Sequence, residues 1–179
     1  MYVHFKMKYP KINVDVSKAT LDKILGYTTV YNNISKPIMY PHGNEKIRNL
    51  LIKIFDTNMS SINPFLMVLL KTFHNGSLTE TDTIAILRET YVLLVRRKIT
   101  KLPVTKYDTV FPGLLDRIIH EPDKVKAFQT EVQTEQLWVS DQEFQLAFLT
   151  KEVYNSRELN FSRLILQEID RKMQPFNEY

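Results

Sequence analysis

Cysteine is absent from all 179 residues, which excludes a disulfide framework, thiolate-held zinc, iron–sulfur clusters and thiol nucleophiles. Glycine is scarce: four occur, and no two form a Gly-x-Gly pair. Without such loops the backbone has no ready cradle for a nucleotide's phosphates, and Gly43-Asn44-Glu45-Lys46 is too little for a phosphate loop. A Gly-x-Ser-x-Gly nucleophile elbow is missing as well. The longest apolar run, Ile62 to Leu70, contains Asn63 and Pro64 and falls far short of the roughly 20 residues that span a bilayer. Met1 to Lys6 lack the apolar stretch of a signal peptide. The expectation is a soluble, cytoplasmic chain with no membrane partner.

What is present suits one globular domain: 44% hydrophobic and 25% charged residues, with a net charge of +4. The charge is uneven. Residues 1–75 carry ten Lys/Arg against four Asp/Glu, net +6, whereas residues 76–179 carry fourteen against sixteen, net −2. A basic half attracts phosphate at long range, but scattered lysines also serve simply to solvate the outer faces of helices.

Helical spacing dominates. Residues 1–14, with Tyr9-Pro10 and the alternating Ile12 and Val14, suit a short extended or irregular arm. A first helix is expected from near Ser17, with Leu21, Ile24, Leu25, Thr28 and Tyr31 as its apolar stripe. Pro37, Pro41 and Gly43 break the chain before a second helix, Asn44 to Phe55, whose apolar face is Ile47, Leu50, Leu51 and Ile54. Asn63 as N-cap and Pro64 as first helical residue open a central, buried helix that runs from Phe65 to His74 and stops at Gly76. Ser77 and Glu80 form an expected capping box ahead of a long helix ending near Ile99, before Pro103.

A helix from Lys106 to His120 should be kinked or divided by Pro112-Gly113. Pro122-Asp123 starts a polar helix reaching about Val132. Ser140 and Glu143 form a second capping box, leading into Phe144, Leu146, Ala147, Phe148 and Val153. Asn155 and Ser156 cap the last helix, lined by Phe161, Leu164, Ile165, Ile169 and Met173. The fold expected is all-α, seven to eight helices in an orthogonal or irregular bundle: an arm at 1–14 and one domain at 15–179, divisible at Gly76 into sub-lobes 15–75 and 77–179.

Chemistry is sparse. His4, His42, His74 and His120 are scattered without a second ligand at helical spacing. Glu168-Ile169-Asp170-Arg171-Lys172 has the look of a nuclease ending, yet it lies in a helical stretch where Glu168 and Lys172 suit an i, i+4 ion pair. No catalytic residue, metal site or cofactor is expected. More informative is Val95-Arg96-Arg97-Lys98-Ile99. Adjacent arginines diverge by about 100° around a helix, so only one lies squarely on the core face. There it needs a carboxylate, helix C-terminal carbonyls or a phosphate. Arg96, Arg97, Lys98 and Lys101 are therefore candidates for contact with DNA or a neighbouring domain, and also for purely structural pairing. Trp138, with Ser140 and Asp141, reads as an anchor orienting the helix that follows.

These segments also carry a resemblance. Asn63 to Leu70, then Val95 to Ile99 with a loop to Phe111, then Trp138-Val139-Ser140-Asp141-Gln142-Glu143-Phe144 and Tyr154-Asn155-Ser156-Arg157 resemble, in order, the helical middle region of Gmr-type (GmrSD) modification-dependent restriction endonucleases. The similarity runs from about residue 20 to residue 173. Family members often have proline where Val139 stands, and a glycine and asparagine that are missing around Leu102 to Lys106. The resemblance implies a region joining a ParB-like nucleotide-binding domain to an HNH nuclease. The chain has neither the Asp-Gly-Gln-Gln-Arg signature of the former nor a histidine motif of the latter. The implied role is a non-catalytic connecting domain of a phage-defence nuclease, whether an excised region or a split-gene product. Its implied partners are the flanking domains, with DNA as a further candidate. A stand-alone DNA-binding module and an interaction domain forming homo-oligomers are the alternatives.

Overall fold

Long stretches free of glycine and proline, with apolar residues every three or four positions, leave the chain little choice but helix. The computed structural model describes residues 14–40, 44–103, 107–150 and 158–174, and all regular structure among them is helical, without a strand. The α-helices are α1 (Val14–Ser35), α2 (Glu45–Asp56), α3 (Asn63–His74), α4 (Glu80–Ile99), α5 (Tyr107–Val110), α6 (Leu114–Ile118), α7 (Lys124–Thr134), α8 (Asp141–Thr150) and α9 (Leu159–Met173). Short 3₁₀ turns at Pro37–Met39, Ser60–Ile62 and Phe111–Gly113 link some of them. The last divides α5 from α6 at Pro112-Gly113, where the sequence places a break.

α4 is the hub: it packs against α2, α3, α7 and α8, while α1 lies on α3 and α9 on α2. The main core runs without interruption from Val30 to Leu137, through Ile47, Leu66, Leu69, Leu87 and Phe128. It thus draws residues from both sides of Gly76. Phe65 touches both Phe111 and Phe128, with ring centroids 5.2 and 6.1 Å apart. A smaller cluster joins Ile99 to Phe161, Leu164 and Ile165, with Phe144 and Phe148 against it.

Several local expectations are corrected. Val14 belongs to α1 rather than to the arm. The apolar stripe of α1 does not enter the core: Leu21, Ile24, Leu25 and Tyr31 are exposed, and Val30, Asn33 and Ile34 on another face are buried instead. Asn63 does not cap α3. It is itself helical, because the Ser60–Ile62 turn feeds straight into the helix, with Ile62 in the capping place. At α4 the cap is Thr79, whose Oγ1 accepts from the Asp82 N–H at 3.1 Å, two residues later than the Ser77 box. Ser77 is used to finish α3: its N–H reaches the Thr72 carbonyl and the Gly76 N–H the Phe73 carbonyl, with Gly76 at φ +79°. The toe of the last helix is Glu158, and Ile169 and Met173 remain exposed. The 1–13 arm, His4, Pro41, His42, Gly43, Val153, the Asn155-Ser156 cap, Tyr154 and Arg157 lie outside the described residues.

With so few glycines, three other helices end on residues with a Cβ in the left-handed region: Asn58 after α2 (φ 56°), Lys101 after α4 (φ 54°) and Gln136 after α7 (φ 55°). Asparagine tolerates this region, whereas Lys101 and Gln136 carry the steric penalty, roughly 1–2 kcal/mol, that glycine avoids. All three termini lie next to segments that α4 gathers at its end.

Candidate interaction site at the end of helix 4

Three consecutive basic residues close α4, and the 100° step of the helix sends each toward a different segment. Arg97 turns inward and is 4% exposed. Its Nη1 donates to the Leu137 carbonyl at 2.9 Å and its Nη2 to the Pro103 carbonyl at 2.7 Å. The guanidinium carbon lies 5.3 Å from the centre of the buried Tyr107 ring. Arg96, one step round, donates through Nη1 to the Val139 carbonyl at 2.9 Å and through Nη2 to the Asp141 carboxylate. It sits over Trp138 and Phe144, 4.9 and 5.3 Å from their ring centres. Lys98, a further step round, donates from Nζ to the Thr57 carbonyl at 2.7 Å, lies 3.4 Å from the Glu158 carboxylate, and covers the Phe161 ring.

The segment between α7 and α8 explains why two adjacent arginines can share one partner. Residues 137–140 are not helical, and in extended chain alternate residues face the same way. The carbonyls of Leu137 and Val139 and the side chain of Asp141 accordingly meet α4 in succession, while the Leu137 and Val139 side chains are buried. Arg97 is neutralised by carbonyl dipoles and an aromatic face rather than by an acid, while Arg96 takes the acid on a neighbouring helix. Charge-assisted bonds of this kind are stronger than neutral ones.

Trp138 is half-buried against the main core. Ser140 and Glu143 form the anticipated capping box: the Ser140 N–H donates to the Glu143 carboxylate at 3.0 Å, and the Glu143 N–H to Ser140 Oγ at 3.2 Å. The Ser140 hydroxyl and N–H hold the Glu143 carboxyl below the usual carboxylate range. Lys101 is the exception among the four basic candidates, being exposed and in the left-handed conformation that turns the chain out of α4. Sequence reasoning missed Pro103, Leu137 and Val139 because they contribute backbone carbonyls, which carry no residue-specific signal. The alternation of Leu137 and Val139 around Trp138 was the available hint of an extended segment. Tyr107 was missed as well. Burial pushes its hydroxyl up to about 12, Arg97 pulling the other way.

Elsewhere the chemistry is thin. Glu168 pairs with Lys53 of α2 at 2.6 Å and with Arg171 at 3.0 Å, in place of the expected Lys172, because α2 lies against that side of α9. Asp170 accepts from Gln174. His74 meets the Tyr40 hydroxyl at 3.1 Å, and burial pushes that phenol up to about 12. A cleft of about 190 Å³ between α1, α2 and α3 has an apolar floor at Ile34, Leu51 and Leu66, with Ser35, Asn58 and Asn63 among its polar lining. Tyr31 also lines it, so hydroxyl and amide groups supply its hydrogen-bonding capacity. Among the described residues no three His, Asp or Glu side chains gather as a metal site, and no helix is long and apolar enough to cross a membrane.

The end of α4 is therefore a structural junction that joins α2, α7, α8 and α9, built from the residues that stand out in the sequence. Comparison of the chain with protein-family models, curated proteins and solved structures finds no match.

Proposed function

We propose that this chain is a non-catalytic helical connecting domain of a Gmr-type restriction endonuclease, working in the cytoplasm between a nucleotide-binding domain and an HNH nuclease. One observation carries this reading. The two segments most specific to the resemblance, Arg96-Arg97-Lys98 and Trp138 to Asp141, lie about 40 residues apart in sequence, yet they bond directly to each other. A shared junction is a physical reason for the two segments to occur together. A rigid joint of this kind transmits movement between domains docked on either side, since tightly packed elements shift as bodies rather than deform.

The surface is compatible with such docking. Leu146 and Leu149 of α8 and Leu159 and Met173 of α9 are exposed, and apolar side chains left bare in this number are suited to a neighbouring domain. Because Arg96, Arg97 and Lys98 are engaged within the fold, any contribution of this region to DNA contact falls on residues such as Lys101.

The test has two parts. The genomic reading frame should encode a nucleotide-binding segment before this region and an HNH segment after it, in one gene or in adjacent genes. Incubated with plasmid DNA and magnesium or manganese, the purified chain should leave the DNA uncut. Metal-dependent cutting abolished by Glu168→Ala, or neighbouring genes encoding neither domain, overturns the proposal.

A further inference from the structure

The stripe on α1 is the feature that neither the core nor the α4 junction absorbs. Leu21, Ile24, Leu25 and Tyr31 are 58%, 55%, 64% and 49% exposed. Every residue from Leu21 to Gly26 is exposed. The helix is held instead through Val30, Asn33 and Ile34, which are buried. At 100° per residue these centre roughly 160° round the axis from the stripe. The bare face is thus separate from the face that builds the fold.

We propose that this face is a self-association surface, on which α1 pairs antiparallel with α1 of a second copy about a two-fold axis passing between Ile24 and Leu25. In a two-fold interface each residue meets the partner of its own mirror position, and the stripe is symmetric in that sense. Lys18, Leu21 and Ile24 are spaced before the axis as Tyr31, Thr28 and Leu25 are spaced after it. Ile24 then meets Leu25 of the other copy, Leu21 meets Thr28, and Lys18 meets Tyr31.

The charge pattern selects this register. Lys18 is the one charged residue in the series, and here its ammonium faces a tyrosine ring, a favourable contact. The same helix already makes such a contact within the fold, where Lys71 Nζ lies 3.8 Å from the centre of the Tyr27 ring. Parallel pairing would set Lys18 against Lys18, and sliding the axis toward the N-terminus by about one turn would press Lys18 against apolar side chains. The inference uses none of the residues that carry the functional proposal and stands or falls apart from it.

Sedimentation velocity on the full chain between about 1 and about 100 μM, a range spanning modest affinities, should show the mass rise from one copy to two. Ile24→Glu combined with Leu25→Glu should hold it at one copy throughout, with helical circular dichroism unchanged because both side chains are already in solvent. Leu149→Glu, on a bare leucine of α8, should leave the dimer intact.

Register is read by crosslinking, which the cysteine-free sequence makes clean. Ile24→Cys, beside the axis, should join two copies through a short bis-maleimide. Lys18→Cys should not, since its counterpart lies thirteen positions away along the pair, about 20 Å at 1.5 Å per residue. A single copy at every concentration assigns the face to a different protein and overturns the proposal. A dimer that survives the double glutamate variant overturns it too, as does Lys18→Cys crosslinking as readily as Ile24→Cys.

Discussion

α1 and α2 carry the same kind of apolar pattern and meet opposite fates. Leu21, Ile24, Leu25 and Thr28 repeat at i, i+3, i+4 and i+7, and so do Ile47, Leu50, Leu51 and Ile54. The α2 series is buried or half-buried against α4, whereas the α1 series faces solvent and the helix is anchored by other residues. Periodicity therefore identifies a face that gains from leaving water; it does not say which surface covers that face, or whether it belongs to the same chain.

Raising the pH should attack the buried side of this comparison most strongly. Burial pushes Tyr40, Tyr91 and Tyr107 up to about 12, from 10 in an unfolded chain. The fold favours their neutral forms, so the associated stability is fully present below pH 10 and is lost as the pH rises from there toward 12. Urea midpoints measured at pH 8, 9 and 11.5 should be level across the first two and fall sharply at the third.

Substitution separates the two stripes directly. Ile47→Ala or Leu51→Ala, each removing a fully buried side chain, should cost about 2–5 kcal/mol. Leu21→Ala or Leu25→Ala, measured where the chain is one copy, should stay within about 0.5 kcal/mol of the parent. Chemical denaturation of the four variants decides it, and equal losses on α1 and α2 would break the contrast.

The arginine pair is a smaller version of the same difference. Arg97→Met strands the buried Leu137 carbonyl and removes the part-buried bond to Pro103, and should cost about 2–3 kcal/mol, while Arg96→Met, whose ion pair reaches an exposed Asp141, should cost about 1 kcal/mol. Thermal unfolding of the pair gives the order.

The smallest effect runs the other way. Lys101→Gly relieves a left-handed residue at the end of α4 and should stabilise by about 0.5–1 kcal/mol, part of the steric relief being offset by the freer unfolded chain. A loss of stability there would mean that Lys101 makes contacts the geometry does not indicate.

Much of the helical framework was legible because its signals are local. Asn44, Asp123 and Ser140 cap their helices through their own side chains. Gly76 closes α3 and Pro112 divides α5 from α6 as their backbone chemistry requires. Caps failed where two signals competed within a few residues. Ser77 finishes one helix and so leaves Thr79 to start the next, and the Ser60–Ile62 turn pre-empts Asn63. Of the junction, the sequence singled out Arg96, Arg97, Lys98, Trp138, Ser140 and Asp141 but not how they connect. Four of the six polar partners described for Arg96, Arg97 and Lys98 are backbone carbonyls, which are the same in every residue.

By itself, then, the sequence determined that the described chain is helical, where most of its helices start and stop, and that only one of two neighbouring arginines can lie squarely on the core face. These depend on torsional preferences, caps and a 100° step, all of which act over a few residues. Tertiary structure alone decided that the α1 stripe stays in water, that Arg97 rather than Arg96 goes inside, and that carbonyls rather than an acid receive it. Those outcomes depend on which surfaces, about 40 residues apart in the chain, arrive beside one another, and no short-range pattern encodes that.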